Sequence, residues 1–202
     1  AEEFYCPVDK KYTPEIPDDG MFKIIFTGNI GQAQGLEILP KAAQKLENVE
    51  FVIVGDGRNK ENFLTEISRL DVQDKFIMID RQPQEKIPEL LACCDAAFVS
   101  FMDNELFTKT IPAKLQSYMA CGMPIIASAS GETKRVIEDA KCGLCSDIGD
   151  AEGLCQIINQ MKQEDTQQME NNSREYYLAN FEKKKLMDEM EEHFMKIMPY
   201  EK

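Results

Sequence analysis

Histidine is almost absent: the 202 residues hold one, His193. It sits on an amphipathic, highly charged stretch near the carboxyl end, where a Ser-His-Asp or Cys-His arrangement is hard to build. A hydrolase of either type is excluded on that count. Basic residues are also scarce, with Lys and Arg numbering 23 against 36 Asp and Glu, for a net charge of −13. Nucleic acid requires a basic stripe, so no nucleic-acid partner is expected. A small anion remains compatible, because a local cluster of donors can hold one against the overall field. No apolar run reaches the roughly 18 residues needed to span a bilayer, and no signal peptide is evident. Even pairing is lacking among the cysteines: seven is an odd number, and they scatter through core and loop positions. That usage predicts a reducing, cytoplasmic compartment.

What the chain does have is alternation. Its apolar fraction of 43% and charged fraction of 29% suit a globular core. Short runs rich in Ile, Val and Phe occur at 23–27, 51–55, 76–79, 96–100, 124–127 and, weakly, 143–145. Between them lie helical patterns at about 35–46, 59–70, 84–94, 112–121, 132–140 and 151–162. Strands alternating with amphipathic helices imply βαβ units, hence an α/β, Rossmann-like doubly wound parallel sheet of about six strands. Ligands of such sheets bind outside the carboxyl ends of the strands, where the chain order reverses.

Two flanks break the pattern. Residues 1–20 hold three of the prolines and no clear period, and read as an extended linker. The domain proper is then 21–165. From 166 onward the chain is helical and charged, with Leu186, Met190, Phe194 and Ile197 forming one apolar stripe. That stripe suits either a helix on this domain's flank or one that packs on another domain.

Three stretches invite a chemical reading. Cys142-Gly143-Leu144-Cys145 has redox spacing, but it spans a short strand rather than opening a helix that would lower the first thiol's pKa. Zinc would need two further ligands, which the single histidine does not supply. Core cysteines are the better account, for these and for Cys93-Cys94. The glycines of Phe26–Gly35 (FTGNIGQAQG) and of Gly55-Asp56-Gly57 each follow a strand and precede a helix, as phosphate-holding turns do. Their spacing is not the G-x-G-x-x-G of a nicotinamide site. Finally, Pro112 opens a helix that ends at Cys121-Gly122, with Lys109 and Lys114 flanking its start. Free amides, the positive end of the dipole and two ammonium groups make a diphosphate site; a packed helix with solvated lysines fits the same residues.

KLQSYMACGMPIIASASGE, from Lys114, resembles the donor-site signature of GT-B glycosyltransferases of family 4. The glycine loop, FVIVGDG, LLACCDAAFVS and CGLCSDIGDAEGL follow in family order over roughly residues 22–161. The run Pro112 to Ala120 is closest to members of capsule, O-antigen and colanic-acid-type pathways. The resemblance implies the C-terminal, nucleotide-sugar-binding domain of a retaining sugar transferase. It further implies a uridine-linked donor as substrate, no metal or other cofactor, and a lipid-linked or saccharide acceptor. The acceptor would sit on an N-terminal domain of the same protein, on which the C-terminal helices would pack. Peripheral attachment at the inner face of the membrane would come through that domain.

Carried onto this sequence, the family's donor site implicates Gly28, Asn29 and Gly31 of the first loop, with Gly55 and Asp56 after the second strand. Asp80 and Arg81 follow the third strand; Glu105, Lys109, Thr110, Ile111, Lys114 and Ser117 belong to the signature region. Departures stand out within this set. The loop positions where the family carries Arg and Lys are Asn29 and Gln34, and the two glutamates of its E-x7-E motif are replaced by Lys109 and Ser117. The diphosphate's counter-charge is therefore expected from Lys109 and Lys114, ahead of Arg81 and Arg58. Two alternatives stay open: an inactive GT-B-like domain that serves assembly, and a nucleotide-sugar epimerase.

Overall fold

The computed structural model describes residues 4–9 and 12–197. Six parallel strands form one sheet: β1 (Phe22–Asn29), β2 (Val49–Asp56), β3 (Phe76–Ile79), β4 (Ala96–Ser100), β5 (Ile125–Ser128) and β6 (Gly143–Ser146). Their spatial order is β3-β2-β1-β4-β5-β6, so the winding reverses between β1 and β4. The strands read as continuous apolar runs because both faces are covered.

Side chains alternate between two cores. Ile24 and Phe26 face the layer of α1 (Ile38–Ala43), α2 (Lys60–Arg69) and α7 (Ala151–Met161). Ile25, with Val52 and Val54, faces α3 (Ile87–Leu91), α5 (Ala113–Ala120), α6 (Gly131–Ala140) and α8 (Gln167–Asn180). Expected and observed elements agree in kind and order, with ends shifted by a few residues. Two differences go further. The first expected helix starts only at Ile38, because Gln32–Gln34 form a 3-10 turn that ends on Gly35 in the left-handed region. A short helix, α4 (Glu105–Thr108), appears where the sequence suggests a loop; the Asn104 side chain caps it by accepting from the Leu106 amide at 2.9 Å.

The flanks also differ from expectation. Residues 12–21 form no helix or strand, but Ile16 is fully buried, so this stretch is bound to the domain rather than strung from it. The C-terminal helices expected over 166–202 are α8 and α9 (Lys183–Ile197), which meet at Phe181-Glu182; Met198 lies outside the described residues. α8 belongs to this domain. Ser173 donates to the Met123 carbonyl at 2.8 Å, Arg174 donates to the Ala120 carbonyl at 2.6 Å, and Tyr177 is buried. The expected stripe lies on α9 and is uncovered, from 45% exposed at Leu186 and Met190 to 62% at Ile197.

Candidate functional site

The site begins with an asymmetry in how β1 is paired. Against β2 its ladder runs to the end, setting Gly28 opposite Gly55 and Asn29 opposite Asp56. Against β4 it pairs only at Ile24–Ala96 and Ile25–Ala97. Beyond that point β1 and β4 part, and a crevice opens at the carboxyl edge where the winding reverses. Tyr118 of α5 takes over the freed edge: its buried hydroxyl accepts from the Thr27 amide at 2.8 Å. Burial pushes the Tyr118 pKa up to about 12, so the phenol stays neutral as a hydrogen-bonding strut.

Two glycines permit close backbone approach at this edge, Gly55 among the last pairs of β1 and β2 and Gly35 in the loop after β1. A Cβ on Gly55 would lie 1.9 Å from the Gly28 carbonyl oxygen, and φ there is +149°, a backbone that other residues rarely adopt. A Cβ on Gly35 would meet the Phe101 backbone at 3.1 Å, at φ +59°. The first loop is thus pressed onto the end of β4. Ser100 donates to the Gln34 carbonyl at 2.5 Å, and the Met102 amide donates to the Ala33 carbonyl at 3.1 Å.

A cleft of about 540 Å³ lies over the ends of β1, β2 and β3. That volume is within the usual range for a small-molecule site. Of the residues the sequence implicates, Gly28, Asn29, Gly55, Asp56 and Arg81 line it. Asp56 is partly spent on its own turn, accepting from the Gly57 amide at 2.8 Å. The remaining implicated residues stand around the cleft rather than in it. Gly31 stands at the start of the 3-10 turn, and Asp80 faces outward in an ion pair with Lys60 at 2.8 Å. Glu105 and Lys109 pair with each other at 2.6 Å, both exposed. The Thr110 carbonyl accepts from the buried Thr133 hydroxyl at 3.1 Å, which ties the start of α5 to α6, and Ile111 packs on the core. The Ser117 hydroxyl donates back to the Ala113 carbonyl at 3.2 Å and hydrogen-bonds with Tyr5.

Tyr5 is the residue that sequence reasoning missed. It comes from the stretch expected to be linker, yet it lines the cleft and packs on the core. Nothing local marks it; an aromatic among prolines carries no period.

Lys114 stands apart electrostatically. Its side chain leaves the α5 layer, passes the end of the sheet and puts Nζ 3.8 Å from the centre of the Phe26 ring, which belongs to the opposite core. There Nζ donates a short hydrogen bond to Gln34 Oε1. No carboxylate pairs with it among the described residues. Burial, unopposed by any acid, pulls its pKa down to about 7. Gln34, which stands at a neutral position of the loop, is thereby linked to a basic side chain from another element.

The cysteine pairs are structural. Cys93, Cys94 and Cys142 are buried, Cys145 is largely so, and burial pushes the Cys142 and Cys145 thiols up to about 12. Among the described residues no three His, Cys, Asp or Glu side chains gather as metal ligands, and no helix is long and apolar enough to cross a membrane.

Comparison with known proteins gives this geometry its relatives. The family model "Glycosyl transferases group 1" matches residues 10–177. The probable glycosyltransferase WbjE of Pseudomonas aeruginosa is 27% identical over 171 residues, covering 80% of this chain and 42% of its own. The amylovoran biosynthesis glycosyltransferase AmsK of Erwinia amylovora is 25% identical over 148 residues, covering 70% and 36%. The chain thus spans less than half the length of these curated relatives. Among solved structures, HepE of Anabaena in complex with UDP superposes with a TM-score of 0.76 at 20% identity, over 88% of this chain and 49% of that one. The chain belongs to the glycosyl transferases group 1 family, and its fold is that of the C-terminal half of a GT-B protein.

Proposed function

We propose that this domain binds the donor of a retaining glycosyltransferase. The donor is a nucleotide sugar, most simply a uridine-linked one, and the acceptor is a lipid-linked or growing saccharide of a surface polysaccharide. The observation that carries the reading is the cleft over the carboxyl ends of β1–β3, lined by Gly28, Gly55 and Gly57 and reaching to β1, the strand beside the winding reversal. Family membership supplies the reaction class, and the UDP bound by HepE supplies the nucleotide. In this reading the domain holds the donor and stabilises the leaving diphosphate, while an acceptor domain excludes water. Gly28, Gly55 and Arg81 then face the nucleoside, and Lys114 and the first-turn amides of α5 face the diphosphate. No metal is required for that division of labour, since fixed positive charge does the same work.

Calorimetric titration with UDP, GDP and NAD tests it. UDP should bind and NAD should not. Binding of none of the three would favour the second reading, a domain that serves assembly only. The neutral Asn29 and Gln34, together with Ser117 in place of a glutamate, are the observations on that side.

A further inference from the structure

We infer that Lys114 is a phosphate-binding residue of the donor site that reaches full charge only when the nucleotide diphosphate arrives, taking up a proton from solvent as it binds. The inference rests on the donor-site reading above. It identifies the cation of that site and the state in which the cation waits.

The geometry is unusual for a lysine. Nζ is seated beneath the glycine loop, against one amide oxygen and the face of one aromatic ring. Neither group carries charge. The surrounding elements hold titratable groups, and none, the exposed Asp103 of the β4–α4 loop included, pairs with Lys114. From α4, Glu105 is taken by Lys109; from the end of β2, Asp56 holds the Gly57 amide. From α6, Glu132 pairs with Arg135, and Lys134 with Asp147. On α5 itself, one turn further on, the Tyr118 hydroxyl is given to Thr27.

An ammonium here gains a cation–π contact and one hydrogen bond in exchange for much of its hydration. The balance goes against the charged form, and the pKa falls to about 7. A diphosphate beside Nζ reverses the balance, because an adjacent anion stabilises the ammonium. The neutral amine gains one proton from the buffer, and no other bond is made or broken.

Lys109 lacks this property. It is exposed and already paired, so its charge is constant and screened. The proton-linked group is therefore Lys114.

The test is calorimetry of UDP binding to the 202-residue chain at pH 8, in two buffers of different ionisation enthalpy. At that pH the nucleotide's terminal phosphate, with a pKa of about 6, is already ionised, so any uptake belongs to the protein. The expected uptake is about 0.5–1 proton per UDP, and affinity should fall about tenfold between pH 7 and 8.5. Lys114→Arg keeps its charge at every such pH. It should bind UDP with no uptake and with a flat pH profile. If wild-type protein binds UDP with no uptake, or if the arginine variant takes up the same proton, the inference fails while the donor-site reading stands. If wild-type protein binds no nucleotide, the donor-site reading itself fails. Should the arginine variant not fold, the wild-type pH profile decides alone: constant affinity from pH 7 to 8.5 overturns the inference.

Discussion

Two lysines at opposite ends of the sheet show how differently one side chain can be used. Lys23, at the amino end of β1, is 2% exposed. It is held by Asp19 and, at 2.8 Å, by Glu50. Burial pulls its pKa down, but hydrogen bonds to the two carboxylates more than offset that, and it stands above the ordinary lysine value. Lys114, at the carboxyl end, has no carboxylate beside its ammonium, and burial pulls its pKa down to about 7. What faces the charge decides the sign: two carboxylates offset the burial of Lys23, and none offsets that of Lys114. A cation with its counter-ions built in is a structural tie; a cation without them is a vacancy for an anion. The first joins residues before β1 to β2, and the second sits where the first glycine loop closes.

The sharpest way to break this comparison is to remove the paired lysine. Lys23→Met leaves Glu50 and Asp19 facing each other without their common partner. Loss of one member of a fully buried pair costs about 3–5 kcal/mol, and the partial exposure of both acids brings the expected loss to about 3 kcal/mol. Urea unfolding measures it, and a loss below about 1 kcal/mol would place the tie among ordinary surface pairs. Next in size is the effect of Lys114 on ligand. Lys114→Ala should weaken UDP binding by about 1.5–3 kcal/mol, the worth of a hydrogen bond to a charged group. Unchanged affinity in calorimetry would return the diphosphate to Lys109 or Arg81.

The two ends were unequally legible in the sequence. Fold class followed from local signals, because runs at 76–79 and 96–100 sit between helical periods of ordinary length. The glycines at the strand ends were legible for the same reason: Gly28 and Gly55 each close an apolar run, and both line the cleft. What escaped was long-range. Lys23 looked like the polar first residue of a strand, and only the β1–β2 register sets it opposite Glu50. Lys109 and Lys114 looked equivalent at the mouth of a helix, five residues apart. Folding sends one to Glu105, a single helical turn away, and the other across the sheet edge to Gln34. The place where the C-terminal helices part was hidden too, because no glycine or proline marks the break at Phe181. The contacts at the break are tertiary: Tyr177 is buried in the core, and Tyr176 and Phe181 pack against that core at the end of α8.

The dependence on pH separates the lysines most cleanly, because it differs in sign. A lysine whose folded pKa is raised contributes stability that is full below its unfolded value near 10.4 and is lost as pH rises through the folded value. Lys23 is of this kind, so its tie weakens only in strong alkali. A lysine whose folded pKa is depressed does the reverse. Below pH 7 Lys114 is charged in both states and its desolvation opposes folding in full. Between pH 7 and about 10.4 the unfolded chain binds a proton that the folded chain does not, so stability rises with pH across that window. Lys114→Met removes the opposing charge and keeps the stem. It should therefore raise stability most at pH 6.5, with the gain shrinking steadily as pH rises toward 10. Denaturation midpoints of both proteins at pH 6.5, 8 and 10 measure this. A gain that is absent at pH 6.5, or that grows with pH, would mean that Lys114 finds a counter-charge in the folded protein, and the contrast with Lys23 would be lost. A gain that declines as described would mean that the carboxyl end sacrifices folding stability for a site that only an anion completes.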